Sequence, residues 1–154
     1  MKNAATYGKP TLGCYFDHAN YSNEGLSQRI CALAIGYGWQ PYRADVAILE
    51  KDLRDMSDEE FEELNEISEK AIDWLNEQET RSYMYWANEG EANAFGLWPN
   101  VESAKEDVGF VSTAKQDYPA DDYEGEWLHV SDHGNATLYV RDASGKDLEI
   151  WSVV

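Results

Sequence analysis

An α+β fold is what the sequence predicts, with two main amphipathic helices in the N-terminal half packed on an antiparallel sheet and a three-stranded meander at the C-terminus. Three observations predict it. Apolar residues recur with a helical period up to residue 79, the pattern after Thr80 becomes alternating and aromatic, and turn-forming clusters then separate short apolar runs to the end of the chain. With 154 residues, of which 43% are hydrophobic and 20 are Trp, Tyr or Phe, the chain can bury a core, and one domain is expected over residues 1–154.

The opening stretch mixes Gly, Pro, Asn and aromatics, with one short strand expected over Thr11 to Asp17 before a turn at Asn20 to Asn23. From about Glu24, the residues Leu26, Ile30, Leu33, Ala34 and Tyr37 share one helix face. Gly36 and Gly38 can take the positive φ of a helix C-terminus, and Pro41 prevents continuation. The helical pattern resumes with Val46, Leu49, Leu53 and Met56. Ser57 and Glu60 then form a capping box, and Asp58, Glu59 and Glu60 suit the positive end of the dipole. Phe61, Leu64, Ile67, Ala71, Ile72, Trp74 and Leu75 lie on one side of the helix that follows, which is predicted to reach about Glu79.

In the sheet half, strands are expected at Arg81 to Ala87 and Ala94 to Trp98, joined by a turn at Asn88 to Glu91 and closed by Pro99. A short helix at Val101 to Asp107, a strand at Val108 to Thr113 and an acidic surface loop at Lys115 to Glu126 follow. The meander comprises Glu126 to Val130, Ala136 to Arg141 and Leu148 to Val154, with turns at Asp132 to Asn135 and Asp142 to Lys146. Alternation puts Leu148, Ile150, Ser152 and Val154 on one face of the last strand and Glu149, Trp151 and Val153 on the other. Apolar residues on both faces predict a central strand.

Charge narrows the function. The chain carries 30 acids against 12 Lys plus Arg, a net of −18. Residues 1–44 hold two acids and four bases, 45–80 hold 14 and three, and 81–154 hold 14 and five. Such a surface repels phosphate backbones and anionic lipid and attracts basic proteins, including those that bind nucleic acid. The expectation is a basic partner, with no direct nucleic acid and no membrane. Without a long apolar run or a signal-peptide pattern, a cytoplasmic location is expected. Cys14 and Cys31, 17 positions apart, fit neither a disulfide framework nor a metal knuckle, and both are expected reduced, Cys31 as a buried helix residue.

The side of the Ser57 helix opposite its apolar stripe carries Glu59, Glu62, Glu66, Glu69, Asp73 and Glu77, interrupted only by Lys70. It reads either as a solvated face or as a row of charges imitating a nucleic-acid backbone; like charges at i, i+4 cost a few tenths of a kcal/mol per pair, which favours looking for a use. A second acidic group, Asp121, Asp122, Glu124 and Glu126, crowds the later loop. His129 and His133 stand four apart across a strand end and turn, so they lack the helical geometry of paired metal ligands. Cys14, Asp17 and His18 are close in sequence without triad geometry, and no phosphate loop or nucleophile elbow is present. No enzymatic activity, cofactor or metal is expected. Arg81, Tyr83, Tyr85, Trp86 and Trp98 form the alternative candidate, aromatic residues that stack on a small ligand if their sheet has an open face and Arg81 supplies a cation.

The run Ser131, Asp132, His133, Gly134, Asn135, Ala136, Thr137, Leu138, Tyr139, with Glu149, Ile150, Trp151, Ser152 and Val153 closing the chain, resembles the ends of small acidic proteins encoded by bacteriophages and related mobile elements. The resemblance covers about the last quarter, with a vaguer likeness around Phe95 to Trp98. It implies a genomic context and assigns no activity or functional residue. Gly134 and Asn135 also suit a hairpin turn in their own right, since both tolerate positive φ. The leading expectation is therefore a phage or plasmid accessory protein that inhibits a host nucleic-acid-processing or defence protein through a mimicking acidic surface, as in antirestriction or anti-CRISPR activity. The alternative is a small-ligand module binding a nucleotide signal.

Overall fold

A computed structural model describes residues 12–154. Thr11, where the first strand was expected to begin, lies outside the described residues. The described chain is α+β and gathers into two compact units, one of residues 12–80 with Tyr85–Trp98, the other of Arg81–Met84 with Pro99–Val154.

The first unit starts with strand β1 (Gly13–Phe16) and helix α1 (Asn23–Gly36). Ser22 caps α1 by accepting from the Gly25 N–H at 3.1 Å. Of the two glycines expected to end it, only Gly38 takes positive φ, at 113°. The helical pattern expected from Val46 to Met56 is interrupted: α2 (Arg43–Leu49) ends at Glu50, and Asp52 starts a separate 3-10 turn over Leu53–Asp55 by accepting from the Arg54 N–H. An Asx cap competes with helix continuation here and wins. Helix α3 (Asp58–Gln78) follows, 21 residues long and ending one residue short of the expected Glu79.

Strands β2 (Met84–Glu89) and β3 (Ala94–Pro99) complete a sheet ordered β1-β3-β2. β2 begins three residues later than expected, and the turn occupies Gly90 to Asn93 because these two residues take φ of 74° and 48°. Asn88 stays in the strand and donates to the Asn93 carbonyl at 3.1 Å. β1 pairs antiparallel to β3, with Cys14 opposite Gly96. At that position a side chain would run into the backbone of Gly13 and Cys14, so Gly96 permits the strands to meet.

Leu26, Ile30, Cys31 and Ala34 of α1 and Leu64, Ile67, Ala71 and Leu75 of α3 are buried, as are Trp86, Phe95 and Leu97 of the sheet. Ser27 joins the two helices by donating to Asn65 Oδ1 at 2.8 Å. Asn76, on the last turns of α3, treats β2 as a neighbouring strand would. Its Nδ2 donates to the Trp86 carbonyl at 3.0 Å and its Oδ1 accepts from the Trp86 N–H at 2.7 Å, covering part of an edge.

The second unit contains α4 (Val101–Asp107), β4 (Val111–Ser112), β5 (Gly125–Val130), β6 (Ala136–Arg141) and β7 (Asp147–Val153), in the sheet order β4-β5-β6-β7. β5, β6 and β7 form the expected meander, and β4 pairs parallel to β5. The strand expected over Val108 to Thr113 shrinks to two residues, and a 3-10 turn at Lys115–Asp117 starts the acidic loop. β7, expected to be central, is an edge strand. Its alternation also fails, because Leu138 pairs with Trp151 while Tyr139 pairs with Glu149, leaving Ile150 as the extra residue of a bulge. Leu148 is consequently exposed at 66% and Trp151 is buried. In the turn before β6 only Gly134 takes positive φ, not Asn135.

Arg141 fastens the acidic loop to this sheet. It is buried, its Nη1 donates to the carbonyls of Pro119 and Ala120 at 2.9 and 2.7 Å, and its Nε and Nη2 reach Asp147 at 3.0 and 3.2 Å. Trp127 stacks on Tyr139 at 4.6 Å and donates from Nε1 at 3.0 Å to Asp147 Oδ1, the oxygen that also accepts from Arg141 Nε. No helix among the described residues is long and apolar enough to cross a membrane.

Candidate functional site

The capping box sets where α3 begins and how its carboxylates are phased. Ser57 Oγ accepts from the Glu60 N–H at 3.2 Å and Glu60 Oε1 accepts from the Ser57 N–H at 3.0 Å. Lys51 adds two bonds to the Glu60 oxygens, at 2.8 and 2.7 Å. Lys51 first, and the Ser57 backbone second, hold this carboxyl below its ordinary range. Glu60 is thereby committed to structure.

Glu59, Glu62, Glu66, Glu69, Asp73 and Glu77 are all exposed. At 3.6 residues per turn and 1.5 Å per residue they fall within about 80° of the helix circumference and extend over about 27 Å. Lys70 does not neutralise them. Its ammonium turns to Asp45 Oδ2 at 3.2 Å and lies 5.3 Å from the centre of the Tyr42 ring. Among the described residues no ion pair takes in any of the six. The stripe is a row of solvent-facing charges along one side of α3, whose opposite, apolar side is buried against α1.

Beside its C-terminal end lies a cleft of about 450 Å³, lined by Trp39, Pro41, Tyr42 and Trp74 together with Lys70, Asp73 and Glu77. Sequence reasoning placed Asp73 and Glu77 on the stripe and missed the aromatic residues beside them. Trp39, Pro41 and Tyr42 read as the end of a helix, and Trp74 reads as core, yet Trp74 is only half-buried and Tyr42 is 73% exposed. The available signal was two aromatic residues around a proline, four and one positions before a new helix.

The alternative aromatic residues do not share an open face. Trp86 is 2% exposed, stacked on Phe95 at 5.7 Å and met edge-on by Tyr15 at 5.3 Å. Tyr85 is half-buried and donates to Glu89 at 2.8 Å, and burial first, then this hydrogen bond and the Glu89 charge, push its phenol up. Trp98 donates to the Ala87 carbonyl at 2.8 Å. Arg81 and Tyr83 belong to the second unit, where Tyr83 is buried and donates to Glu126 at 2.6 Å.

The remaining polar candidates are separated. His129 is half-buried, with Nδ1 3.4 Å from Ser112 Oγ and its ring against Tyr118, while His133 is exposed in the turn. Cys14 Sγ donates to the Phe16 carbonyl at 3.6 Å, and His18 Nε2 lies 3.1 Å from Asn93 Nδ2. Cys31 is buried, and burial with the Asp45 charge pushes its thiol up to about 12. Among the described residues no group of three or more His, Cys, Asp and Glu is placed to hold a metal ion. No family model, no curated protein and no solved structure matches the chain.

Proposed function

We propose that this chain is a phage or plasmid accessory protein that occupies the basic surface of a host nucleic-acid-processing or defence protein and excludes its nucleic acid. One observation carries the reading: six carboxylates face solvent along one side of a capped 21-residue helix, and among the described residues no cation is paired to them. A solubilising face gains nothing from such uniformity, because like charges at i, i+4 repel. A competitor for a Lys/Arg channel does gain from it, since the opposing field both accelerates encounter and aligns the partners.

The magnitudes set the scope. Six charges over about 27 Å amount to about one per 5 Å, against one per about 3.4 Å along a single DNA strand. The stripe therefore imitates one strand at reduced density and not a duplex. A single-strand or guide channel is the better fit than a duplex groove, and the remaining negative charge of the chain supplies long-range attraction.

Capture of the partner from host lysate at about 0.1 M salt, followed by elution at higher salt, tests the reading, because screening releases a charge-driven complex. A nucleic-acid-processing protein eluting by salt is the expected result. The combined variant Glu62→Lys, Glu66→Lys, Glu69→Lys should lose that partner while keeping the parent far-UV circular dichroism. If it captures the same partner undiminished, the stripe is not the binding surface.

A further inference from the structure

The cleft at the end of the stripe has what a row of carboxylates lacks, a shaped cavity with aromatic walls. Its volume of about 450 Å³ falls inside the roughly 300–1,000 Å³ typical of small-ligand sites. Trp39 is buried, Trp74 is half-buried and Tyr42 stands open to solvent. Asp73 and Glu77 are one helical turn apart on the facing stretch of α3, about 5–6 Å between Cβ atoms. The lining thus combines electron-rich rings with paired acids, the combination that selects an organic cation.

One cation already uses this surface. The Lys70 ammonium lies 5.3 Å from the centre of the Tyr42 ring and 3.2 Å from Asp45 Oδ2, a tethered example of an ammonium held between an aromatic face and a carboxylate. Lys70, itself part of the lining, gives its charge to Asp45, and among the described residues no ion pair reaches Asp73 or Glu77.

We propose that the cleft receives one arginine side chain of the basic partner, with the guanidinium lying on the aromatic wall and its N–H fork directed to Asp73 and Glu77. This deepens the acidic-surface reading and rests on it: the stripe attracts the basic face, and the cleft fixes where along that face the helix stops. Arginine fits better than lysine for two reasons. Its planar, weakly hydrated head stacks on aromatic rings and bridges two carboxylates, and the compact ammonium position is already filled by Lys70.

The test uses the full chain and N-acetyl-arginine amide as probe, with the neutral isostere N-acetyl-citrulline amide as control, followed through the indole N–H resonances of Trp39 and Trp74. The arginine compound should give a saturable shift of these two signals, and the citrulline compound none. Tyr42→Ala should weaken binding about two- to fivefold, and the pair Asp73→Asn with Glu77→Gln should weaken it further. The pair Glu50→Gln with Glu63→Gln, which removes the same net charge from exposed positions outside the cleft, should leave it within about twofold, the loss expected from diffuse screening alone. Equal binding of citrulline, an equal loss in the Glu50/Glu63 pair, or no saturable shift would each overturn the cleft. Tyr42 is so exposed that its loss leaves the core intact, and retained amide spectra confirm that a negative result is not unfolding. Failure here with salt-labile capture of a partner intact sinks the cleft alone, whereas undiminished capture by the Lys-substituted stripe sinks the underlying reading.

Discussion

Removing the Asn76 carboxamide should loosen the helix-to-sheet contact of the first unit by a predictable amount. Its two hydrogen bonds to the Trp86 backbone, at 3.0 and 2.7 Å, are the link in question. A protein hydrogen bond contributes about 0.5–1.5 kcal/mol net, so Asn76→Ala should cost about 2 kcal/mol. For a chain of this size that is a fall in Tm of about 4–8 °C. Urea unfolding followed by far-UV circular dichroism measures it. Asn76→Asp is the sharper variant, being nearly isosteric. Its carboxylate still accepts from the Trp86 N–H but offers no donor to the Trp86 carbonyl, so it should be destabilised at pH 7. Protonation restores a donor, which raises the folded-state pKa of the new carboxyl above its unfolded value. The stabilising bond is then fully present below about pH 4 and lost as pH rises through the folded pKa. A cost below about 0.5 kcal/mol for Asn76→Ala, inside the range of an ordinary surface substitution, would refute the view that this side chain acts as a surrogate strand.

Other positions give equally direct expectations. Gly96→Ala should disrupt the β1 pairing, because the added carbon would lie 2.8 Å from the Gly13 carbonyl carbon and 3.0 Å from Cys14 Cα, both backbone atoms; faster amide exchange in Gly13–Phe16 checks it, and unchanged protection would contradict it. Arg141 holds the Asp147 carboxyl below its ordinary range, helped by the Trp127 N–H and opposed by burial. Since the folded pKa lies below the unfolded one, this contribution is present above the unfolded pKa of about 3.9 and lost as pH falls through the folded value. Asp147→Asn should therefore be less stable than the parent at neutral pH, with the gap closing below about pH 4 in thermal unfolding; a gap constant with pH would refute it. An aromatic disulfide reagent should titrate the exposed Cys14 in the native protein and reach the buried Cys31 only on unfolding, and two fast thiols would show that α1 does not bury its face as described.

How much was legible varies with how local the cause is. The capping box and the 21-residue helix follow from a few adjacent residues, and both stand where Ser57 and Glu60 place them. The meander turns follow from Gly134 and Gly145, with φ of 83° and 85°. The turn after β2 was misplaced by two residues because several neighbouring polar residues suit a turn equally, and the closing geometry selects Gly90 and Asn93. The exposed stripe was legible from helical periodicity. The cleft was not, since a Trp at a core-facing position and a Tyr beside a proline carry no mark of whether they meet each other.

By itself, the sequence determined the α+β class, the helix bearing the charge, the face that charge occupies and the order of the last three strands. Each depends on period, caps or turn chemistry over a few residues. Tertiary structure alone decided that β7 lies at an edge and bulges at Ile150, that Lys70 is drawn to Asp45 instead of neutralising the stripe, and that Trp86 is enclosed by Tyr15 and Phe95. Those outcomes join residues far apart in the chain. Local pattern specifies which face a side chain takes, and only packing specifies what that face meets.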